Sequence, residues 1–125
     1  MRPTTSFFDL RVWQEAMDLV EAIYLLSKRF PSDERFGLTS QIRRASISKP
    51  SNIAEGQRRK RRKAFLYHLD IALGSQAEVE TQLLVAKRLG YCADDAHAAA
   101  MHRAEAVGKM LNGLIASIQP EDAEP

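Results

Sequence analysis

Six apolar residues near the C-terminus, Ala100, Ala104, Val107, Leu111, Leu114 and Ile118, recur at intervals of 4, 3, 4, 3 and 4. Only a helix returns residues so spaced to one face, and a helix with such a seam must bury it against other helices. Nothing elsewhere in the chain alternates with period two over a useful length, so no sheet is available to cover the seam. Three more segments share the helical period. In the first, from about Asp9 to Arg29, the stripe is Trp13, Ala16, Met17, Val20, Tyr24 and Ser27. Phe30-Pro31-Ser32 breaks it, since proline disfavours helix in the residue before it. Ser32 is then a candidate cap for a second helix carrying Phe36, Leu38, Ile42, Ala45 and Ile53, with Pro50 expected to kink it and Gly56 to stop it. A third helix starts within a basic run and reaches Leu89, with Phe65, Leu69, Ala72, Leu73, Gln76, Val79, Leu83 and Ala86 inward and Gly90 just past its end.

Four long helices joined by short loops predict an all-α, antiparallel up-and-down four-helix bundle over residues 9–118. Residues 1–8 read as a disordered arm and 119–125 as a disordered acidic tail. At 125 residues the chain is one domain long. No apolar stretch approaches the roughly 20 residues that cross a bilayer, and no signal peptide stands at the start. The expectation is a soluble, cytoplasmic protein without a membrane partner.

A net charge of +2 hides a steep gradient. Residues 1–42 carry net −1 and residues 64–125 net −5, while residues 43–63 carry +8. That stretch holds Arg43, Arg44, Lys49, Arg58, Arg59, Lys60, Arg61, Arg62 and Lys63 against Glu55 alone. A solvated linker is one reading. The sharper one is a phosphate-binding patch for RNA or DNA, in which the excess of arginine suits bidentate phosphate contacts. No base-reading motif accompanies it, so little sequence preference is expected.

Catalytic and metal signals are weak. His97 and His102 lie five apart, about 140° around a helix, and cannot share a metal from one face. Glu78 and Glu80, or His68 and Asp70, diverge likewise. Cys92, the single cysteine, excludes an internal disulfide and reads as a half-buried small residue. Neither an enzyme nor a cofactor is expected. Asn52 could satisfy backbone groups freed by Pro50, and Glu55 could pair with Arg43, Arg44 or Arg58. Gly74-Ser75 in mid-helix suggests close approach of another helix, within the bundle or across subunits. Tyr67 could stack on a base, though an ordinary surface tyrosine fits as well.

Several ordered strings carry a resemblance. Phe8-Asp9-Leu10-Arg11-Val12-Trp13-Gln14, Glu34-Arg35-Phe36-Gly37-Leu38, Gln41-Ile42-Arg43-Arg44-Ala45, Pro50-Ser51-Asn52-Ile53-Ala54-Glu55-Gly56, Ile71-Ala72-Leu73-Gly74-Ser75 and Leu89-Gly90-Tyr91 resemble the four helix bundle proteins, or 23S rRNA-intervening-sequence proteins. The resemblance implies a bundle that assembles with copies of itself into a ring, typically a pentamer with a basic surface along its axis. It also implies kinship with accessory variability determinant proteins, which bind a reverse transcriptase and nucleic acid. A protein-interaction accessory, for instance to a reverse transcriptase, is therefore the alternative to direct nucleic-acid binding. For most of that family no biochemical activity is established. Two positions depart from its pattern: Lys49 stands where an apolar residue is usual, and Arg61 where a small cap is usual.

Overall fold

The computed structural model describes residues 6–122, with side chains as far as Ile118. Four helices occupy nearly all of it: α1 (Arg11–Ser27), α2 (Leu38–Arg58), α3 (Arg62–Arg88) and α4 (Asp94–Asp122). Each packs on two others, α1 and α3 both lying against α2 and α4. Arg43 of α2 reaches Tyr24 and Ser27 near the end of α1, while Pro50 and Ala54 line a groove with Trp13 near its start. Lys49 meets Gln76 of α3, and Gly56 lies against the earlier His68. Gln76 bonds to Ala104 of α4, and Phe65 shares a groove with the later Ile118. Each of these successive helix pairs therefore runs in opposite directions.

Leu19, Ile23, Ile42, Ile53, Leu69, Leu83 and Leu111 are sealed from solvent at the centre. Each such side chain contributes about 1.5–3 kcal/mol relative to exposure. The α4 seam is as expected, with Ala100, Ala104, Val107 and Leu111 buried and Leu114 and Ile118 packed at its edge.

On α1 the inward stripe is Val12, Ala16, Leu19, Ile23 and Leu26, not the face centred on Trp13, Met17, Val20 and Tyr24. The two sets differ by one residue, about 100° of rotation. Both are apolar because α1 turns one toward the core and leans the other on α2, where Trp13, Met17 and Val20 line a groove with Ile47 and Pro50. Trp13 also receives the edges of Phe7 and Phe8, each ring 5.3 Å away. Ser6 to Phe8 are accordingly not an unstructured arm: the Phe8 amide donates to Ser6 Oγ (3.3 Å), and Phe7–Asp9 form a 3-10 turn. At the other end α4 runs beyond residue 118 to Asp122. The expectations for residues 1–5 and 123–125 lie outside the described residues.

Ser32 does not cap α2. Ser32–Glu34 form a separate 3-10 turn, and α2 begins only after Gly37. Phe36 is left 87% exposed rather than on the helix's inner face. The cap is supplied instead by Glu34, whose Oε1 accepts from the Leu38 amide (3.0 Å). Its Oε2 accepts from the Tyr91 hydroxyl (2.8 Å), which ties the α1–α2 connection to the α3–α4 turn. These two bonds, the Leu38 amide first, hold the Glu34 carboxyl below the usual carboxylate range. Gly90, with φ +74°, takes the left-handed backbone that ends α3.

Gly56 does not stop α2, which runs past it and continues on both sides of Pro50. Its role is close packing: a Cβ there would stand 2.7 Å from His68 Cβ and 3.1 Å from Phe65 Cδ1. A Cβ at Gly74 would meet nothing within 4 Å, so no helix of this chain approaches it among the described residues. Opposite outcomes follow. Gly56→Ala should lower stability by about 1–3 kcal/mol through overpacking. Gly74→Ala should raise it by up to about 1 kcal/mol through helix propensity. Midpoints of urea unfolding check both.

Candidate nucleic-acid interface

Six consecutive cations, Arg58 to Lys63, form the turn from α2 to α3. The α2 helix ends as the Arg59 and Lys60 amides bond back to the carbonyls of Gly56 and Gln57. Lys60 then takes φ +59°, a left-handed conformation where glycine or asparagine is usual. Arg61 is extended and gives α3 no side-chain cap, and no acidic residue lies in that helix's first turn. Cations thus surround the positive end of a helix dipole, where they are unfavourable and an anion is favourable. Glu55 supplies an internal counter-charge. Arg59 donates to it (2.8 Å), but both side chains are about half exposed, so solvent screens the pair and it adds little to stability. That bond, with His68 nearby, lowers the Glu55 carboxyl below its ordinary range. Glu55 therefore pairs with Arg59 rather than with Arg43, Arg44 or Arg58. Arg58 rests over the Phe7 ring at 5.3 Å.

The other three cations of the basic stretch lie elsewhere. Arg44 is exposed but precedes Arg58 by fourteen helical positions, about 21 Å along the axis. Arg43 is engaged inside the bundle: its Nε donates to Ser27 Oγ (2.8 Å), and its guanidinium covers the Tyr24 ring at 4.5 Å.

Lys49 is 0% exposed. Its Nζ donates to Gln76 Oε1 (2.6 Å), while Gln76 Nε2 donates to Glu80 Oε2 (2.6 Å) and to the Ala104 carbonyl (2.7 Å). Every hydrogen-bonding group of the Gln76 amide head is thereby engaged, joining α2, α3 and α4 in one chain. Burial drives the Lys49 pKa down to about 7, and the Glu80 charge opposes that shift. A buried cation cannot reach a phosphate, so Lys49 leaves the candidate interface.

Asn52 does not serve the carbonyl freed by Pro50, which is that of Ser46. Its Nδ2 donates to the Ser48 carbonyl (2.9 Å) and Oγ (3.1 Å). That orientation turns Oδ1 toward His68 Nδ1 (3.0 Å), which assigns the proton to Nδ1. His68 is 8% exposed, and its Nε2 faces Glu55 at 3.8 Å. Ser75 donates to Ser48 Oγ (2.8 Å) beside this group. The α2–α3 contact is thus a polar seam reaching from Lys49 to Arg59, and it sets the basic turn on a fixed base. Its signal in the sequence is the single string from Pro50 to Gly56, without the α3 partners.

Among the described residues no group of three or more His, Cys, Asp or Glu could hold a metal. Burial and the Asp94 charge push the Cys92 thiol up, away from a nucleophile's range. His97 is buried with no hydrogen-bond partner on Nε2 among the described residues. No described helix is long and apolar enough to cross a membrane.

A family model of the 23S rRNA-intervening sequence proteins matches residues 8–113. None of the curated proteins is a match. Among solved structures, a protein of unknown function of the S23 ribosomal protein family from Bacteroides thetaiotaomicron is 25% identical, with a TM-score of 0.77. The similarity covers 83% of this chain and 97% of that one.

Proposed function

The chain belongs to the 23S rRNA-intervening sequence protein family, and from that premise we propose that it is a non-enzymatic scaffold that binds RNA or DNA through the turn from Arg58 to Lys63. The observation that carries the reading is six contiguous cations at one end of the bundle, with Glu55 paired to one of them and an uncapped helix start in their midst. Phosphates would neutralise these charges and release counterions, which makes binding strong at low salt and indifferent to sequence. Arg44, on the flank of α2, would meet a long polyanion only secondarily.

Self-association supports the same function, because copies joined together multiply a weak patch. Its support is an unpartnered face of α3, where Tyr67, Ile71 and Val85 are exposed and Gly74 lies on the same stripe. With no neighbour inside the described chain, Gly74 leaves room for a second copy. The pentamer remains what the family resemblance implies. In the alternative, a protein-interaction accessory role as toward a reverse transcriptase, the basic turn would meet an acidic partner instead of phosphates.

Charge reversal at Lys60 and Arg61 to glutamate should abolish binding of duplex DNA at about 50 mM salt while circular dichroism stays unchanged. Retained binding would place the phosphate contacts elsewhere. Ile71→Glu should lower the mass measured by light scattering; an unchanged assembly would remove this face from the interface.

A further inference from the structure

Beside the basic turn lies an open groove of about 560 Å³, within the range of small-ligand sites. Its floor is apolar, made by Gly56, Phe65 and Ile118, and its rim is cationic, made by Lys60, Arg61 and Arg62. Phe65 is only partly covered by the core, so its ring belongs to the groove as well as to the bundle. An apolar, aromatic floor is of no use to a duplex, whose bases are stacked inward and whose surface is phosphate. It suits an unpaired nucleotide, whose base has a π-face and whose flanking phosphates sit within reach of the rim. We infer that this groove takes an unpaired base of a single-stranded nucleic acid against Phe65, with the neighbouring phosphates on Lys60, Arg61 and Arg62.

The inference rests on the phosphate-binding reading and adds a preference to it: single strands over duplex, without sequence selectivity. The geometry of Gly56 is part of the site. With no side chain there, Phe65 and His68 close onto α2, and the groove floor stays flat rather than filled.

The test compares two fluorescent strands of equal length and phosphate count on the full-length protein. One is oligodeoxythymidine and the other consists of abasic residues. The expected result is a dissociation constant about ten-fold or more lower for the thymidine strand. Phe65→Leu, which keeps the apolar volume and removes the ring, should erase that difference while both strands still bind. Ser117→Glu, at an exposed position on the groove wall, should weaken thymidine-strand binding without touching the core. Equal binding of the two strands, both falling with salt, would overturn the groove and leave the phosphate reading standing. A thymidine preference that survives both variants would overturn the assignment to this groove. Displacement of the strand by thymidine monophosphate at comparable concentration would replace a strand with a free nucleotide as the occupant. Failure of both strands to bind at low salt would remove the phosphate reading and the groove together.

Discussion

Between pH 7 and pH 8.5 the unfolding free energy of this protein should rise by about 1.5 kcal/mol, and Lys49→Met should abolish the rise. The sign follows from the shift. Lys49 has a pKa near 7 when folded and about 10.4 when unfolded. Between those values the unfolded chain holds more protons, so stability increases with pH. The penalty for charging the buried amine is fully present below pH 7 and fades as pH climbs toward the unfolded value. The Glu80 charge is what keeps the penalty from being larger. The raised Cys92 thiol acts in the opposite sense above about pH 8.5, so the window closes there. Urea unfolding across the window is the measurement. Methionine has nearly the volume of lysine and fits the site, although Gln76 Oε1 loses its donor. A slope that persists in Lys49→Met would mean another group titrates, and a flat wild-type profile would mean the amine reaches water.

The second large effect is on salt dependence. With Arg58, Arg59, Arg61 and Arg62 changed to alanine, the fall in DNA affinity between about 50 and 200 mM salt should shrink to less than about ten-fold. Helical content should survive, since these side chains lie at the surface and, of the seam, only the half-exposed Glu55–Arg59 pair at its end is lost. A variant with the wild-type slope would show that other cations make the contacts.

Much of the fold is legible in the residues. The α4 seam, the long third helix with Gln76 facing inward, and the Gly90 stop all follow from spacing and turn chemistry. The inner stripe of α1 does not, because apolar residues cover two adjacent faces and periodicity cannot say which one meets the centre. Phe36 misleads for a related reason: its apolarity suggests burial, but Glu34 caps α2 from outside the helix and delays its start past the phenylalanine. Gly74 and Gly56 exchange roles, since a glycine's spacing shows that a side chain is absent but not which neighbour fills the gap.

The basic stretch is legible as charge and not as a surface. Net charge adds Arg43, Lys49 and Arg58 alike, whereas α2 carries the first into contact with α1, buries the second and exposes the third. The departure of Lys49 from an apolar family position is the one sequence hint that it sits in the core. The seam between Asn52 and His68 joins residues sixteen apart on different helices, a pairing that no local pattern encodes.

The most direct test of the phosphate-binding claim is fluorescence anisotropy of a labelled duplex DNA with the wild-type protein at about 50 and 200 mM salt. Neutralisation of about 4 to 6 phosphates by the α2–α3 turn predicts an affinity loss of about 10²- to 10³-fold over that range. Affinity that does not change with salt, or no binding at the lower concentration, would contradict it.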